Sequence, residues 1–168
     1  REFARQNSYN LNLREFVYSE PFKSKKQTRG QEGITFRYYD SRVHRGMKEM
    51  LQEFGNPLWE KEILGEPCLE EGGRPVLAPV QDGQVLGFTG PLSVEPGGRG
   101  YFAGIAISAE ARGKGLGKLL FYELCNGLKD RGAAYMTLFT GENNPARNIY
   151  EEAGFGIVRS WSDMRKEP

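Results

Sequence analysis

The sequence predicts an α/β (α+β sandwich) fold, in which a mixed β-sheet carries helices packed on its faces. Two observations lead to this prediction. Stretches with strand composition and stretches with helical spacing follow one another as β, α, α, three β, α, β, α, β from residue 34 onward. An apolar run at 101–107 then leads through a glycine turn into a helix-like run at 116–130. The predicted strands are 34–39, 76–80, 85–88, 101–107, 134–140 and 155–161.

Alternation, capping residues and a turn dipeptide define the elements in the first half of the chain. Residues 34–39 alternate and are rich in β-branched and aromatic side chains, as strands are. Asp40 or Ser41 is expected to cap a helix whose apolar residues recur at helical spacing until Gly55. A short second helix is expected next. Asp82-Gly83 between two apolar stretches is a strong signal for a hairpin.

Two strand–turn–helix units make up the second half. Residues 101–107 are apolar, as in a buried strand, and leucines repeat on one face of the helix at 116–130. After the strand at 134–140, Asn144 is expected to cap a short helix that has Pro145 at its first position.

Composition restricts the class of protein. The 168 residues fit one domain, and a formal net charge of +1 gives no reason to expect nucleic acid or an anionic membrane as a partner. No apolar run approaches the ~18 residues of a membrane span, and no signal peptide is recognisable. Cys68 and Cys125 are too few and too isolated for a disulfide framework or a zinc site, so no metal is expected. A reducing cytoplasm is the simplest setting.

The first 33 residues are polar and basic, with seven basic residues against four acidic ones. We expect residues 1–33 to be an extension or a linker, and contact with a polyanion is the alternative for the basic run. Because the chain starts at Arg1 without an initiator Met, we expect a processed product or a piece of a longer protein. Two interpretations are open for the apolar residues of this segment: they form a short strand, or they pack on a surface. These residues are Leu11, Leu13, Phe16 and Tyr18.

The glycine turn at 112–117, Arg-Gly-Lys-Gly-Leu-Gly, carries the clearest chemical signal. Glycines at alternate positions allow a sharp turn and expose several N–H groups at the start of a helix. A helix N-terminus of this kind binds anions, phosphates above all. The spacing differs from the Gly-x-Gly-x-x-Gly of dinucleotide folds, and Arg112 and Leu119 stand where a P-loop needs Gly and Ser or Thr. The turn therefore predicts a pyrophosphate site of another kind.

Two motifs together indicate a family. Residues 112–117 resemble the Arg/Gln-x-x-Gly-x-Gly/Ala signature of the GNAT-type N-acetyltransferases. A second stretch resembles another signature of that family. It reads Asn143-x-x-Ala146-x-x-x-Tyr150 and is followed at the expected distance by Gly154-Phe155. More narrowly, the chain resembles the C-terminal half of a bacterial tandem GNAT protein.

The resemblance implies a fold and a co-substrate. It covers residues 34–168, which are then one acetyltransferase domain of the acyl-CoA N-acyltransferase type, with a mostly antiparallel sheet, two splayed parallel strands and helices on both faces. The implied co-substrate is acetyl-CoA. Its pyrophosphate is expected on the N–H groups of 113–118, and Arg112 and Lys114 either add charge or stay solvated.

The pantetheine arm is expected between the splayed strands, paired with backbone groups of Ile105 and Ile107; a simple buried strand is the alternative for Gly-Ile-Ala-Ile. Asn143 is expected either to bond this arm or to act as a local cap. The residues expected to bind the co-substrate are Ile105, Ala106, Ile107, Arg112, Gly113, Lys114, Gly115, Leu116, Gly117, Lys118, Asn143, Ala146 and Tyr150.

Tyr150 is the residue that the resemblance singles out for chemistry. Its hydroxyl is expected to protonate the departing CoA thiolate, and a core tyrosine on a short helix is the alternative. A backbone N–H near Ile105 is expected to polarise the thioester carbonyl. The family has no fixed general base. Glu95 and Glu142, the nearest acids in the sequence, are the candidates for this base. An acid in such a loop is more often a solvated charge, and a water chain to bulk would serve as well.

The predicted function is transfer of an acetyl group from acetyl-CoA to a primary amine by direct attack. The alternative is a non-catalytic acyl-CoA-binding or regulatory domain of a tandem protein, which the lack of a carboxylate at 101–107 favours and Asn143 and Tyr150 disfavour. The acceptor is expected to be a small molecule or a peptide amine. A homodimer or a tandem partner domain is compatible with either function.

Overall fold

The computed structural model describes residues 10–17, 31–65, 73–141 and 144–162, and for 10–17 and 158–162 it describes the backbone. The strands are β1 (Asn10–Val17), β2 (Thr35–Tyr38), β3 (Leu77–Gln81), β4 (Gln84–Val85), β5 (Gly87–Gly90), β6 (Ser93–Val94), β7 (Arg99–Tyr101), β8 (Gly104–Ile107), β9 (Tyr135–Gly141) and β10 (Gly156–Ser162). The helices are α1 (Met47–Phe54), α2 (Pro57–Leu64), α3 (Leu116–Asp130) and α4 (Arg147–Glu152). Of the helices in these ranges, none has the length and apolar character needed to cross a membrane.

Strand pairing divides the strands into two sheets. One has the order β2-β3-β5-β8, with β4 folded back on β3, and the other has the order β10-β1-β9-β7-β6. All neighbouring strands are antiparallel except β7 and β9, which are parallel. The predicted mixed, mostly antiparallel sheet is therefore confirmed.

The two sheets part where the chain leaves β7 for β8. Arg99 and Gly100 of β7 pair with β9, after which Phe102 and Ala103 interrupt the strand. β8 pairs with β5 instead, and in the described residues it is the last strand of its sheet. The single strand predicted at 101–107 is thus two strands that belong to different sheets, and a cleft opens between β8 and β9.

Helices cover both faces of the first sheet. The leucines that repeat along α3, Leu120, Leu124 and Leu128, are fully buried in a core that includes Leu77 of β3. The next residue of β3, Ala78, lies in a second core with α1 and α2. Successive residues of a strand point to opposite faces, so the two cores lie on opposite sides of the sheet. Burial of each leucine contributes about 1.5–3 kcal/mol.

The first helix begins later than the sequence predicts. The carboxylate of Asp40 accepts hydrogen bonds from the backbone N–H and the guanidinium of Arg42, and the backbone N–H of Asp40 donates to Nδ1 of His44. These bonds close a turn over 41–43, because the side chain that was expected to cap the helix is used two residues away. Helix α1 therefore starts at Met47.

Part of the predicted N-terminal extension lies within a sheet. Strand β1 is inserted between β9 and β10 and is antiparallel to both. Its pairing with β9 runs from Leu11 opposite Gly141 to Val17 opposite Tyr135. Of the two interpretations of its apolar residues, the structure has the short strand, from Asn10 to Val17; Tyr18 lies outside the described residues. The domain boundary at residue 33 stays a prediction.

Candidate active site

The glycine turn forms the N-terminal end of α3. Gly113 and Gly115 have φ angles of 77° and 72°, and Gly115 is the N-cap residue of α3, with no side chain capping the helix. Its position in the left-handed region is one that residues with a Cβ rarely adopt. The N–H groups of the first helical turn lie beyond the reach of intrahelical carbonyls. Because Gly113, Lys114 and Gly115 are exposed, the turn presents its backbone to solvent.

Three basic side chains expected around the turn lie in different surroundings. Nε of Arg112 donates to the carbonyl of Ile107 at 3.2 Å, so this side chain lies along the end of β8. Lys114 is exposed. Lys118 forms an ion pair with Glu152 at the end of α4. Positive charge thus lies on both sides of the turn.

A residue that the sequence did not reveal supports the turn from inside. Nε2 of Gln31 donates to the carbonyl of Lys114 at 2.6 Å, and the side chain of Gln31 is buried. A Cβ placed on Gly115 would lie 3.2 Å from the same nitrogen. A single glutamine in a polar stretch, 83 residues away in sequence, carries no local signal of this contact.

A narrow apolar cleft of about 160 Å³ runs beside the turn, between β8 and α4. A Cβ on Gly117 would lie 3.8 Å from Ile107 and 4.0 Å from Ile149, so glycine keeps this end of the cleft open. The lining residues are Ile105, Ala106, Ile107, Gly117, Phe121, Ala146, Ile149 and Tyr150.

The backbone of β8 presents hydrogen-bonding groups on the edge away from β5. In an antiparallel pair, successive residues direct their N–H and C=O groups alternately toward and away from the partner strand. The N–H of Ser108 donates to Leu86 at 2.9 Å, on the β5 side. The groups of Ile105 and Ile107 therefore face the other way, in agreement with the bond from Arg112 to the carbonyl of Ile107.

A second, wider cleft of about 420 Å³ opens between β7, β8 and β9 and is walled partly by α2. Tyr101 and Phe139 are large side chains on its wall that are more than two-fifths exposed. This cleft shares Ile105 and Tyr150 with the narrow one. Its lining residues are Trp59, Arg99, Tyr101, Phe102, Ala103, Gly104, Ile105, Thr137, Leu138, Phe139, Asn144 and Tyr150.

Tyr150 lies where the two clefts meet. It is buried on α4, and its ring packs against that of Phe121 with 4.9 Å between centroids. Helix α4 begins at Arg147 rather than at Pro145, because the side chain of Asn144 caps the preceding turn by accepting from the N–H of Ala146 at 3.0 Å. The burial of Tyr150 and its place in both clefts fit the core and the functional interpretation alike.

The two acids considered as general base differ in what the structure describes. Glu142 lies outside the described residues, as does Asn143. Glu95 is exposed and binds Arg99 through two hydrogen bonds of 2.8 and 2.5 Å, and these bonds lower the pKa of the Glu95 carboxyl. Arg99 rather than Glu95 lines the wide cleft, where it also donates to Oγ1 of Thr137 at 3.1 Å. Glu95 is thus a weakened base that binds a cleft residue without lining the cleft itself.

Trp59 is positioned in the wide cleft by the interruption between β7 and β8. Its Nε1 donates to the carbonyl of Ala103 at 3.2 Å, and a Cβ on Gly104 would lie 2.5 Å from its ring. Glycine at 104 therefore allows the indole to lie directly against the strand.

The remaining points raised by the sequence concern its two cysteines and a metal site. Cys125 is buried within α3, and Cys68 lies outside the described residues. Within the described ranges, no three His, Cys, Asp or Glu side chains are arranged to hold a metal ion.

Comparison with solved structures shows the fold. A GCN5-related N-acetyltransferase from Sphaerobacter thermophilus superposes with a TM-score of 0.66 at 19% identity, covering 95% of this chain and 53% of that one. A GCN5-related N-acetyltransferase from Kribbella flavida gives a TM-score of 0.59 at 16% identity, covering 91% and 57%.

Comparison of sequences shows the family. The [ribosomal protein bS18]-alanine N-acetyltransferase of Haemophilus influenzae is 34% identical over 87 residues, which are 52% of this chain and 56% of that protein. The chain therefore spans little more than half the length of the relatives it matches. The model of the Acetyltransferase (GNAT) family matches residues 38–155. The chain belongs to the GNAT acetyltransferase family.

Proposed function

We propose that this chain transfers an acetyl group from acetyl-CoA to a primary amine by direct attack. The observation that carries the proposal is the meeting of two clefts at Ile105 and Tyr150, one leading to the glycine turn and the other open on the α2 side. Two reactants that enter from different sides would meet at these residues. The homodimer or tandem partner and the cytoplasmic setting expected from the sequence stay predictions.

The glycine turn and the narrow cleft suit CoA. The N–H groups from Gly113 to Lys118 would hold the pyrophosphate with help from the helix dipole, and Arg112 and Lys114 would add positive charge. The outer edge of β8 would pair its Ile105 and Ile107 groups with the pantetheine amides, as an added strand does. Glycine at 117 fits this assignment, because a side chain there would narrow the cleft. Acetyl-CoA itself supplies an activated acetyl group.

Three groups of the chain would act at the junction. The Ile105 N–H, on the free edge of β8, would donate to the thioester carbonyl oxygen and stabilise negative charge there. The Tyr150 hydroxyl would give its proton to the leaving sulfur. With Cys125 buried in α3 and Glu95 bound to Arg99, the described residues favour direct attack by an amine whose proton leaves through water.

The wide cleft would receive the acceptor. Its volume of about 420 Å³ suits a small amine or the first residues of a peptide. The related protein from Haemophilus influenzae acts on an alanine of a ribosomal protein, so a peptide N-terminus belongs in the first panel of acceptors tested. Aromatic side chains on the wall would contact the carbon skeleton next to the amine.

The test is release of CoA thiol from acetyl-CoA over a panel of arylalkylamines, polyamines, amino acids and peptides that begin with alanine. We expect at least one acceptor to be turned over. For that acceptor, Tyr150→Phe should lower kcat by about 10²–10⁴-fold, the range of general acid catalysis, while the Kd for acetyl-CoA stays near that of the wild type.

Two results would count against the proposal. Full activity of Tyr150→Phe would refute the general-acid role. Tight binding of acetyl-CoA without thiol release for any amine would favour the alternative of a non-catalytic acyl-CoA-binding domain.

A further inference from the structure

We propose that Gln31 is a positioning residue for the phosphate-binding turn. Its side-chain amide fixes the peptide between Lys114 and Gly115 so that the Gly115 N–H points out of the turn, toward the pyrophosphate of CoA. The inference rests on the proposed function of the turn, and it assigns a role to a residue that lies outside both motifs.

The direction of one hydrogen bond carries the inference. Nε2 of Gln31 donates to the carbonyl of Lys114 at 2.6 Å, and Gln31 is only 4% exposed, whereas Lys114 and Gly115 are exposed. The Lys114 carbonyl therefore points into the protein. In a planar trans peptide the C=O and N–H groups point in opposite directions. The N–H of Gly115 accordingly points outward.

Without this bond the peptide would have another orientation open to it. Gly113 and Gly115 flank Lys114 and already occupy the left-handed region, with φ angles of 77° and 72°. Glycine adopts several backbone conformations at little cost. A flipped peptide would direct the negative end of the Lys114 carbonyl toward the phosphate and withdraw one N–H donor. The bond from Gln31 stabilises the orientation that binds an anion.

Gln31 is itself held by the core beneath the turn. Its backbone carbonyl accepts from the N–H of Ile34 at 3.1 Å. Ile34 is buried in a small cluster with Ala111 and Leu116, which lie just before and within the glycine turn. Through Ile34, the segment 31–34 thus packs against residues at both ends of the glycine turn.

The variants are Gln31→Met and Gln31→Leu, which are similar in size to glutamine and have no hydrogen-bond donor. The control is Arg131→Met: Nη2 of Arg131 also donates to a backbone carbonyl, that of Gly73, at 3.2 Å, but at the C-terminal end of α3, away from the turn. Calorimetry on the full chain gives the Kd for CoA and for pantetheine, which lacks the pyrophosphate. Thermal unfolding reports whether each variant folds, and Gln31→Leu is the second variant should Gln31→Met not fold.

We expect both Gln31 variants to weaken CoA binding about tenfold or more, as loss of one hydrogen bond to a charged group does, and to leave pantetheine binding unchanged. Arg131→Met should bind both ligands like the wild type. Wild-type affinity for CoA in a folded Gln31 variant would overturn the inference. So would an equal loss for CoA and pantetheine, which marks a general structural role. A folded wild type that does not bind CoA would instead overturn the proposed function, and the inference with it.

Discussion

The contact between Gly104 and Trp59 makes Gly104→Ala an informative substitution. The added Cβ would lie 2.5 Å from Cε2 and 2.6 Å from Nε1 of Trp59, so the indole has to move. Movement breaks its hydrogen bond to Ala103 and disturbs the edge contacts with Phe54 and Phe88, at 5.9 and 5.2 Å between centroids.

The expected loss can be worked out from these contacts. The hydrogen bond is worth about 0.5–1.5 kcal/mol and each aromatic pair about 0.5–1.5 kcal/mol. The lower entropy of the unfolded chain returns about 0.4–1 kcal/mol. These values allow a net decrease of about 0.5–4 kcal/mol in the free energy of unfolding, and we expect about 1–3 kcal/mol, the usual cost of an overpacked core. Urea unfolding measures it.

Gly97→Ala is the matched control, because no atom lies within 4 Å of a Cβ placed there. It should change the free energy of unfolding by less than about 1 kcal/mol. In a Trp59→Ala background, Gly104→Ala should cost no more than this control, since the obstacle is gone. A cost that persists in that background, or a Gly104→Ala protein as stable as Gly97→Ala, would refute the reasoning.

Three further predictions test separate features. Among the described residues the buried Thr140 hydroxyl has no hydrogen-bond partner, whereas that of Thr89 donates to a carbonyl at 3.2 Å, so thermal unfolding should find Thr140→Val neutral or stabilising and Thr89→Val destabilised by about 1 kcal/mol. Gly113→Asp should abolish CoA binding in calorimetry, whereas Gly132→Asp, at another left-handed glycine with open space, should bind normally. The neighbouring arginine lowers the Asp40 pKa from 3.8 to about 2, so any stability advantage over Asp40→Asn should be present above pH 3.8 and lost as the pH falls through 2. An advantage that grows on acidification would contradict this sign.

Local patterns in the sequence predicted the elements on which the candidate site is built. The glycines at 113 and 115 favour a turn with left-handed backbone, and the leucines of α3 indicate a buried face by their spacing alone. The position of Tyr150 followed from its distance to Gly154-Phe155 in a known motif. Each of these signals lies within about a dozen residues, so it can be recognised in the sequence without knowledge of the tertiary contacts.

What the sequence did not reveal depends on contacts between distant parts of the chain. Gln31 contacts a residue 83 positions away, and Trp59 donates to a carbonyl 44 positions away. The start of α1 was predicted too early because the Asp40 side chain can either cap a helix or bond Arg42 in a turn. In the structure it bonds Arg42. Which strand pairs with which is also a property of the whole fold.

The inserted strand β1 has a practical consequence for how this domain is cut out of its sequence. A chain trimmed to begin at residue 34 would lose the strand that separates β9 from β10. The edge of β9 from Tyr135 to Gly141 would then have no partner along its length, and β10 would be left without its neighbour. Exposed edges of this kind pair with other chains. The trimmed protein would keep the glycine turn and Tyr150, yet β9, one wall of the wide cleft, would become a surface for self-association.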